Sequence, residues 1–188
     1  RFRLGRQVIA LDNQRFVGAV AFRQNMQTFD ALSVQNTYFH GLKLFYAYID
    51  YVNRIFGPGA SNHQGRQKNS TNLFNASYTP WQYGTFTPYL YLIHNKRDAA
   101  FSTKTYGLRF AGKAAFKYAT VLYTLEYAHQ NNAYNNKTGY SAYYSHIGFG
   151  AQHWGVTLRA DQERLSGNKN EAGKAFRTPL ATLHKFQG

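Results

Sequence analysis

Apolar and polar residues alternate along much of this chain with a period of two. From Trp154 onward, one parity reads Trp154, Val156, Leu158, Ala160 and the other Gly155, Thr157, Arg159, Asp161, Glu163. Between Ala119 and Gln130, Ala119, Val121, Tyr123, Leu125 and Tyr127 alternate with Thr120, Leu122, Thr124, Glu126, Ala128 and Gln130. This spacing predicts strands with one apolar and one polar face. Leu73–Pro80 and Thr103–Ala111 follow the same rule, whereas Leu42–Asn53 is apolar on both parities. Gly84–His94 and Gly139–Gly150 are rich in tyrosine and mixed. With Phe2–Leu11, Phe16–Arg23 and Phe29–Phe39 added, the pattern predicts roughly ten strands.

The connections differ in character. Gly57–Asn72 and Ser166–Ala175 read as long polar basic loops, and His94–Ala100 and Asn131–Thr138 as turn regions. Apolar positions nowhere hold a helical spacing for more than a turn. No linker divides the chain, so residues 1–188 read as one β-domain. The expected strands are about nine to twelve residues long, more than the five or six of ordinary strands. A tilted membrane strand needs about nine to eleven. Long strands with tyrosine, tryptophan and phenylalanine near their ends fit a transmembrane antiparallel up-and-down barrel. A soluble β-sandwich or lipocalin-like barrel shares the alternation and stays open on pattern alone.

Composition sharpens this picture. Aromatics are 18% of the residues, with 16 Tyr and 15 Phe. Tyrosine suits a boundary between apolar and aqueous media. Mean hydropathy is negative, but an alternating barrel hides its membrane band from such an average. No run approaches a membrane-spanning helix, and no signal peptide is visible. The chain has no cysteine, which excludes disulfide and thiolate chemistry from its 188 residues.

Lysine and arginine total 22 against 8 acidic residues, a formal charge of +14. Such a field attracts polyanions. The cations are not gathered in a run; they fall singly, often one per strand, at Arg6, Arg23, Lys43, Arg109, Lys117 and Arg159. One cation on each of many strands is the pattern of a pore wall, where rings of Arg and Lys select anions. No nucleic-acid-binding signature is present, so nucleic acid is not expected as a partner. The seven histidines are scattered, with no metal-ligand spacing. Asp161 and Glu163 share one strand face, as a glycosidase pair could, but Arg159 and Arg164 flank them and favour ion pairs on a polar wall. With no nucleophile elbow, phosphate loop or dinucleotide fingerprint, we expect neither an enzyme nor a cofactor.

Three stretches add a resemblance. "LGRQVIALDNQRFVGAVAFRQNMQTFDAL" (Leu4–Leu32), "AYIDYVNRIFGPG" (Ala47–Gly59) and "FRTPLATLHKFQG" (Phe176–Gly188) resemble the alginate-export family of Gram-negative outer-membrane barrels. The resemblance implies a monomeric, porin-like barrel in the outer membrane. It would pass an anionic polysaccharide or oligosaccharide such as alginate through a positively lined pore. It points to Arg6, Gln7, Arg15, Arg23, Phe29, Asp30 and Arg54. Arg6, Arg15, Arg23 and Asp30 are the expected lumen or inner-mouth positions, joined by Arg54, Arg109 and Arg159, with Asp161 and Glu163 as acidic partners. The phenylalanines of the first stretch are expected to face lipid or an aromatic girdle. Members of that family carry a signal peptide and more strands, so the chain reads as an internal piece forming an incomplete barrel. A general porin, or a soluble basic β-domain that binds polyanions, are the alternatives.

Overall fold

The computed structural model describes residues 1–21, 24–57, 59–60, 65–167, 170–171 and 173–182. Nine strands form one antiparallel sheet in strict sequence order. They are β1 (Phe2–Gln7), β2 (Thr28–Asn36), β3 (Leu42–Asn53), β4 (Arg66–Trp81), β5 (Gly84–Ile93), β6 (Thr103–Ala115), β7 (Thr120–Asn132), β8 (Ser141–His153) and β9 (Val156–Leu165). A single 3-10 turn, Ala99–Phe101, is the only helical piece among the described residues. The architecture is an up-and-down meander, a partial barrel whose first and last strands each pair on one side only.

The period-two pattern places the faces. On β6, Thr103, Thr105, Gly107, Arg109, Ala111 and Lys113 point one way, and Lys104, Tyr106, Leu108, Phe110 and Gly112 the other. On β7 the corresponding sets are Thr124, Glu126, Ala128, Gln130 and Val121, Tyr123, Leu125, Tyr127. The second sets form an exposed apolar band that continues through Phe149 and Ile147 on β8 and Leu158 on β9. On β6 and β7 apolar side chains turn outward and polar ones inward, the arrangement of a membrane barrel wall; on β2–β5 the inward face is apolar as well, with Phe29, Ala47, Ile49, Val52, Leu73 and Tyr91 buried there.

The inward face is concave. Phe16 lies 5.4 Å from Tyr89 of β5 and 5.1 Å from Tyr144 of β8, ring centroid to ring centroid. Neighbouring strands are spaced at about 4.8 Å, so β5 and β8 would stand about 14 Å apart in a flat sheet. One ring touches both only because the sheet wraps around it. Burial of a phenylalanine of this kind contributes about 1.5–3 kcal/mol.

The connections fall into two classes by end of the sheet. Those at 37–41, 82–83, 116–119 and 154–155 are short; those at 8–27, 54–65, 94–102 and 133–140 are long. The 154–155 hairpin turns through Trp154 (φ 45°) and Gly155 (φ 79°), two left-handed residues that match the right-handed twist of the flanking strands.

Three expectations are corrected here. Phe16–Arg23 is not a strand: the described part folds inward against the concave face, with Phe16, Val17, Ala19 and Val20 buried. Its two parities are both apolar because it is surrounded, not because it pairs. Phe16 and Phe29 accordingly face neither lipid nor a girdle; both are buried on the concave side. Phe22 and Arg23 lie outside the described residues. The expected 57–72 loop is shorter, since β4 begins at Arg66. Gln67, Asn69 and Thr71 alternate there with Lys68, Ser70 and Asn72, so both parities are polar and no alternation marks the strand.

Candidate functional site

The concave face is built around two inward segments, 8–20 and 176–182. They meet in a parallel bridge between Val17 and Leu180. Gly18 N–H donates to Leu180 O at 2.9 Å, and Val20 N–H to Thr182 Oγ1 at 3.0 Å. Gln27 Nε2, fully buried, donates to Gly18 O at 2.9 Å and Leu180 O at 3.1 Å. Gly18 is required there: a Cβ would overlap Thr182 Oγ1. On the wall, Gln130 of β7 fastens residue 177 twice, through Nε2 to Arg177 O and Arg177 N–H to Oε1, both 2.8 Å.

Charged groups meet on this face in cation–carboxylate pairs. Arg15 is fully buried, with Nε 2.8 Å from Glu163 Oε1. Its guanidinium also lies 5.8 Å from the Tyr144 ring centroid, and Tyr144 donates its hydroxyl to Glu163 at 2.7 Å. Arg109 faces Glu126 across the β6–β7 register at 3.4 Å, while Tyr89 donates to Glu126 at 2.9 Å. Arg159 binds Asp161 with both Nε (2.7 Å) and Nη2 (2.8 Å) and reaches Thr124 at 3.0 Å. His146 Nε2 lies 2.7 Å from Asp161. Gly148 leaves room for this pair: a Cβ there would meet Asp161 Oδ1 and Arg159 Nη2. Lys43 and Lys113 add positive charge on the same face.

The inward segment carries its own carboxylate. Asp12 (φ 51°) accepts from Asn75 Nδ2 of β4 at 2.8 Å. Burial raises its proton affinity above the usual carboxylate value, and the Asn75 hydrogen bond, Arg109 and Lys43 partly offset this. Arg54, beyond β3, donates to Pro179 O at 2.6 Å, and burial lowers its proton affinity. Near the long loops, burial and then Lys96 lower the histidine pKa of His94, whose ring stacks on Tyr134 at 4.6 Å. Burial pushes the Tyr140 phenol up to about 12.

Arg15, Arg109, Arg159, Asp161 and Glu163 come together on the concave side. Arg54 fastens an inward segment. Arg6 and Asp30 pair with each other at 2.8 Å but stand on the convex face, opposite buried Phe29 and Ala31. Lys117 sits in an exposed short turn, outside the wall. Nothing in the sequence pattern alone marks Asp12 or Asn75. Glu126 occupies the polar parity of its strand opposite Arg109, a signal that cross-strand pairing could have used. Among the described residues, no group of three His, Asp or Glu side chains could hold a metal ion.

No family model and no curated protein matches this chain. Solved structures do. The chain aligns with Pseudomonas aeruginosa OccD3 (OpdP) at a TM-score of 0.67 and 14% identity, covering 86% of this chain and 40% of that one. The fold is that of an outer-membrane porin. Acinetobacter baumannii OccAB4 gives 0.67 at 9% identity, with coverage of 86% and 40%. The P. aeruginosa outer membrane protein opdK gives 0.65 at 13%, with coverage of 86% and 44%; OpdK is also known in a structure with vanillate. This chain thus spans less than half the length of the porins it resembles. The porin-like fold expected from sequence stands, while the link to alginate export finds no support in these likenesses.

Proposed function

We propose that this chain is part of an outer-membrane channel through which small organic anions diffuse passively. The observation that carries the reading is the ion-paired wall: Arg109 and Arg159 face inward, each held by a carboxylate, with Lys43 and Lys113 on the same face. A guanidinium fixed by Glu or Asp keeps its planar donor fork oriented and still offers N–H groups to a passing carboxylate. The acidic partner also tempers affinity, as conduction requires, because a solute that enters must leave. Vanillate, found with OpdK, is an aromatic carboxylate. Uronate carboxylates of an acidic polysaccharide such as alginate share the same chemistry. The seating of residues 8–20 inside the sheet favours short acids over a polymer. No catalytic role is proposed.

The full-length protein in a planar bilayer, under a salt gradient, tests this. We expect a reversal potential of anion-selective sign, reduced by Arg159→Gln. Cation preference in the unmodified protein refutes the proposal. Equal liposome uptake of neutral and acidic sugars would favour a general porin.

A further inference from the structure

The convex face, outside the channel, carries a polar cluster that diffusion through the lumen does not use. Arg6, Arg66 and Lys68 surround Asp30 and Asp50 at the long-loop end of β1–β4. Arg6 Nε and Arg66 Nη2 lie 2.8 and 3.0 Å from the two oxygens of Asp30, and Asn53 donates to it at 3.1 Å. Lys68 Nζ reaches Asp50 at 2.6 and 2.7 Å. Tyr51 lies beneath: the Arg66 guanidinium is 3.6 Å from its ring centroid and the Lys68 ammonium 4.3 Å. Three cations share two carboxylates, so the cluster keeps a net positive charge. Its cations stay accessible, at 61% for Arg6 and 42% each for Arg66 and Lys68. Two guanidiniums with five donors each exceed what one shared carboxylate can accept.

Position gives the cluster its meaning. On the same face the surface continues as Leu4 on β1 and Leu32 and Val34 on β2, while on β3 and β4 the hydrogen-bonded pairs Tyr48–Ser70 and Tyr46–Asn72 lead from the cluster to Phe74. Further along is a shallow depression of about 600 Å³ lined by Val34, Leu44, Tyr46, Phe74, Pro88 and Leu90. A head of positive charge above a strip of apolar surface complements one kind of molecule. It is an amphiphile with an anionic head and hydrocarbon tails. Similar cations stand at the same end of other strands: Lys104 beside Tyr106 and Arg164 over Tyr143.

We propose that Arg6, Arg66 and Lys68 form a binding site for the phosphate of a lipid headgroup in the leaflet at the long-loop end, with an acyl chain along the strip below. Phosphate oxygens take charge-assisted hydrogen bonds from the three cations, and Asp30 and Asp50 hold those cations in place between lipids. The site lies outside the pore and does not depend on which solute the pore conducts.

The full-length protein in neutral phosphatidylcholine nanodiscs, doped with diphosphorylated lipid A or its dephosphorylated form, provides the test. Native mass spectrometry counts the retained lipid. The unmodified protein should keep the phosphorylated form and not the dephosphorylated one. Arg66→Gln/Lys68→Gln should cut retention by about tenfold, and Lys117→Gln, at the opposite end, should leave it unchanged. Equal retention of both lipids by the unmodified protein overturns the proposal without any variant. So does equal loss in Lys117→Gln, or displacement of the lipid by millimolar inorganic phosphate, which would mark a site for free anions. Conductance should be unchanged in the double variant.

Discussion

Arg15 is the most exacting side chain in the molecule. It is fully buried, and its charge is tolerated because Glu163, 2.8 Å away, answers it. Removing one member of such a pair leaves the other uncompensated and costs about 3–5 kcal/mol, whereas replacing both is far milder. Glu163→Gln should therefore lower the temperature at which the folded band is lost on unheated-versus-heated gels. Arg15→Met/Glu163→Gln should recover most of that loss. Asp12 sets a pH dependence of the opposite kind to a surface carboxylate. Burial raises its folded-state pKa above the unfolded value, so the ionised form costs stability at neutral pH. That cost falls as pH drops through the folded pKa and is gone below the unfolded one. Hydrogen exchange in residues 8–20 should slow as pH falls through this window, after correction for intrinsic rates, and Asp12→Asn should flatten the response. The pairing of arginines with Asp161 and Glu163 could be anticipated from strand parity. The partner of Glu163 could not, because Arg15 is far from it in sequence and meets it only through the fold.

At the scale of the element, β7 shows how directly the alternation is read. Its outward residues Val121, Tyr123, Leu125 and Tyr127 share one parity, and its inward Thr124 and Glu126 the other. Leu125 is exposed and lies level with Phe110 and Ile147 on the flanking strands. Leu125→Arg should destabilise the folded protein in lipid by about 2–4 kcal/mol, measured by urea unfolding in vesicles, while Thr124→Ser stays near neutral. Leu42–Asn53 emerges as a strand with the bounds its sequence suggested, and Gly84–His94 ends one residue early. The start of β4 and the fate of residues 16–20 were illegible for related reasons. Near the loops both faces of β4 meet polar surroundings. Around Phe16 every direction meets apolar ones. In each case the contrast that alternation depends on disappears. The side of the sheet on which Arg6 stands was likewise hidden, since β1 is exposed on both parities.

For the whole molecule, connection length sets direction. Porin-type barrels keep short turns on the periplasmic side and longer loops outside the cell. By that rule, 116–119 lies inside and 133–140 outside. The chain has no cysteine of its own, so Lys117→Cys and Tyr134→Cys give a clean comparison. A membrane-impermeant maleimide applied to intact cells should label the second and not the first; the reverse pattern would invert the orientation.

The bridge between Val17 and Leu180 also bears on the order of assembly. Its partners lie near opposite ends of the chain, whereas every strand pairs with its immediate sequence neighbour. Hairpins can therefore close one after another while residues 8–20 still lack the surface that holds them. Contacts of such long sequence separation form late. The seating of residues 8–20 on the concave face is thus completed only after β9 and residues 176–182 have arrived.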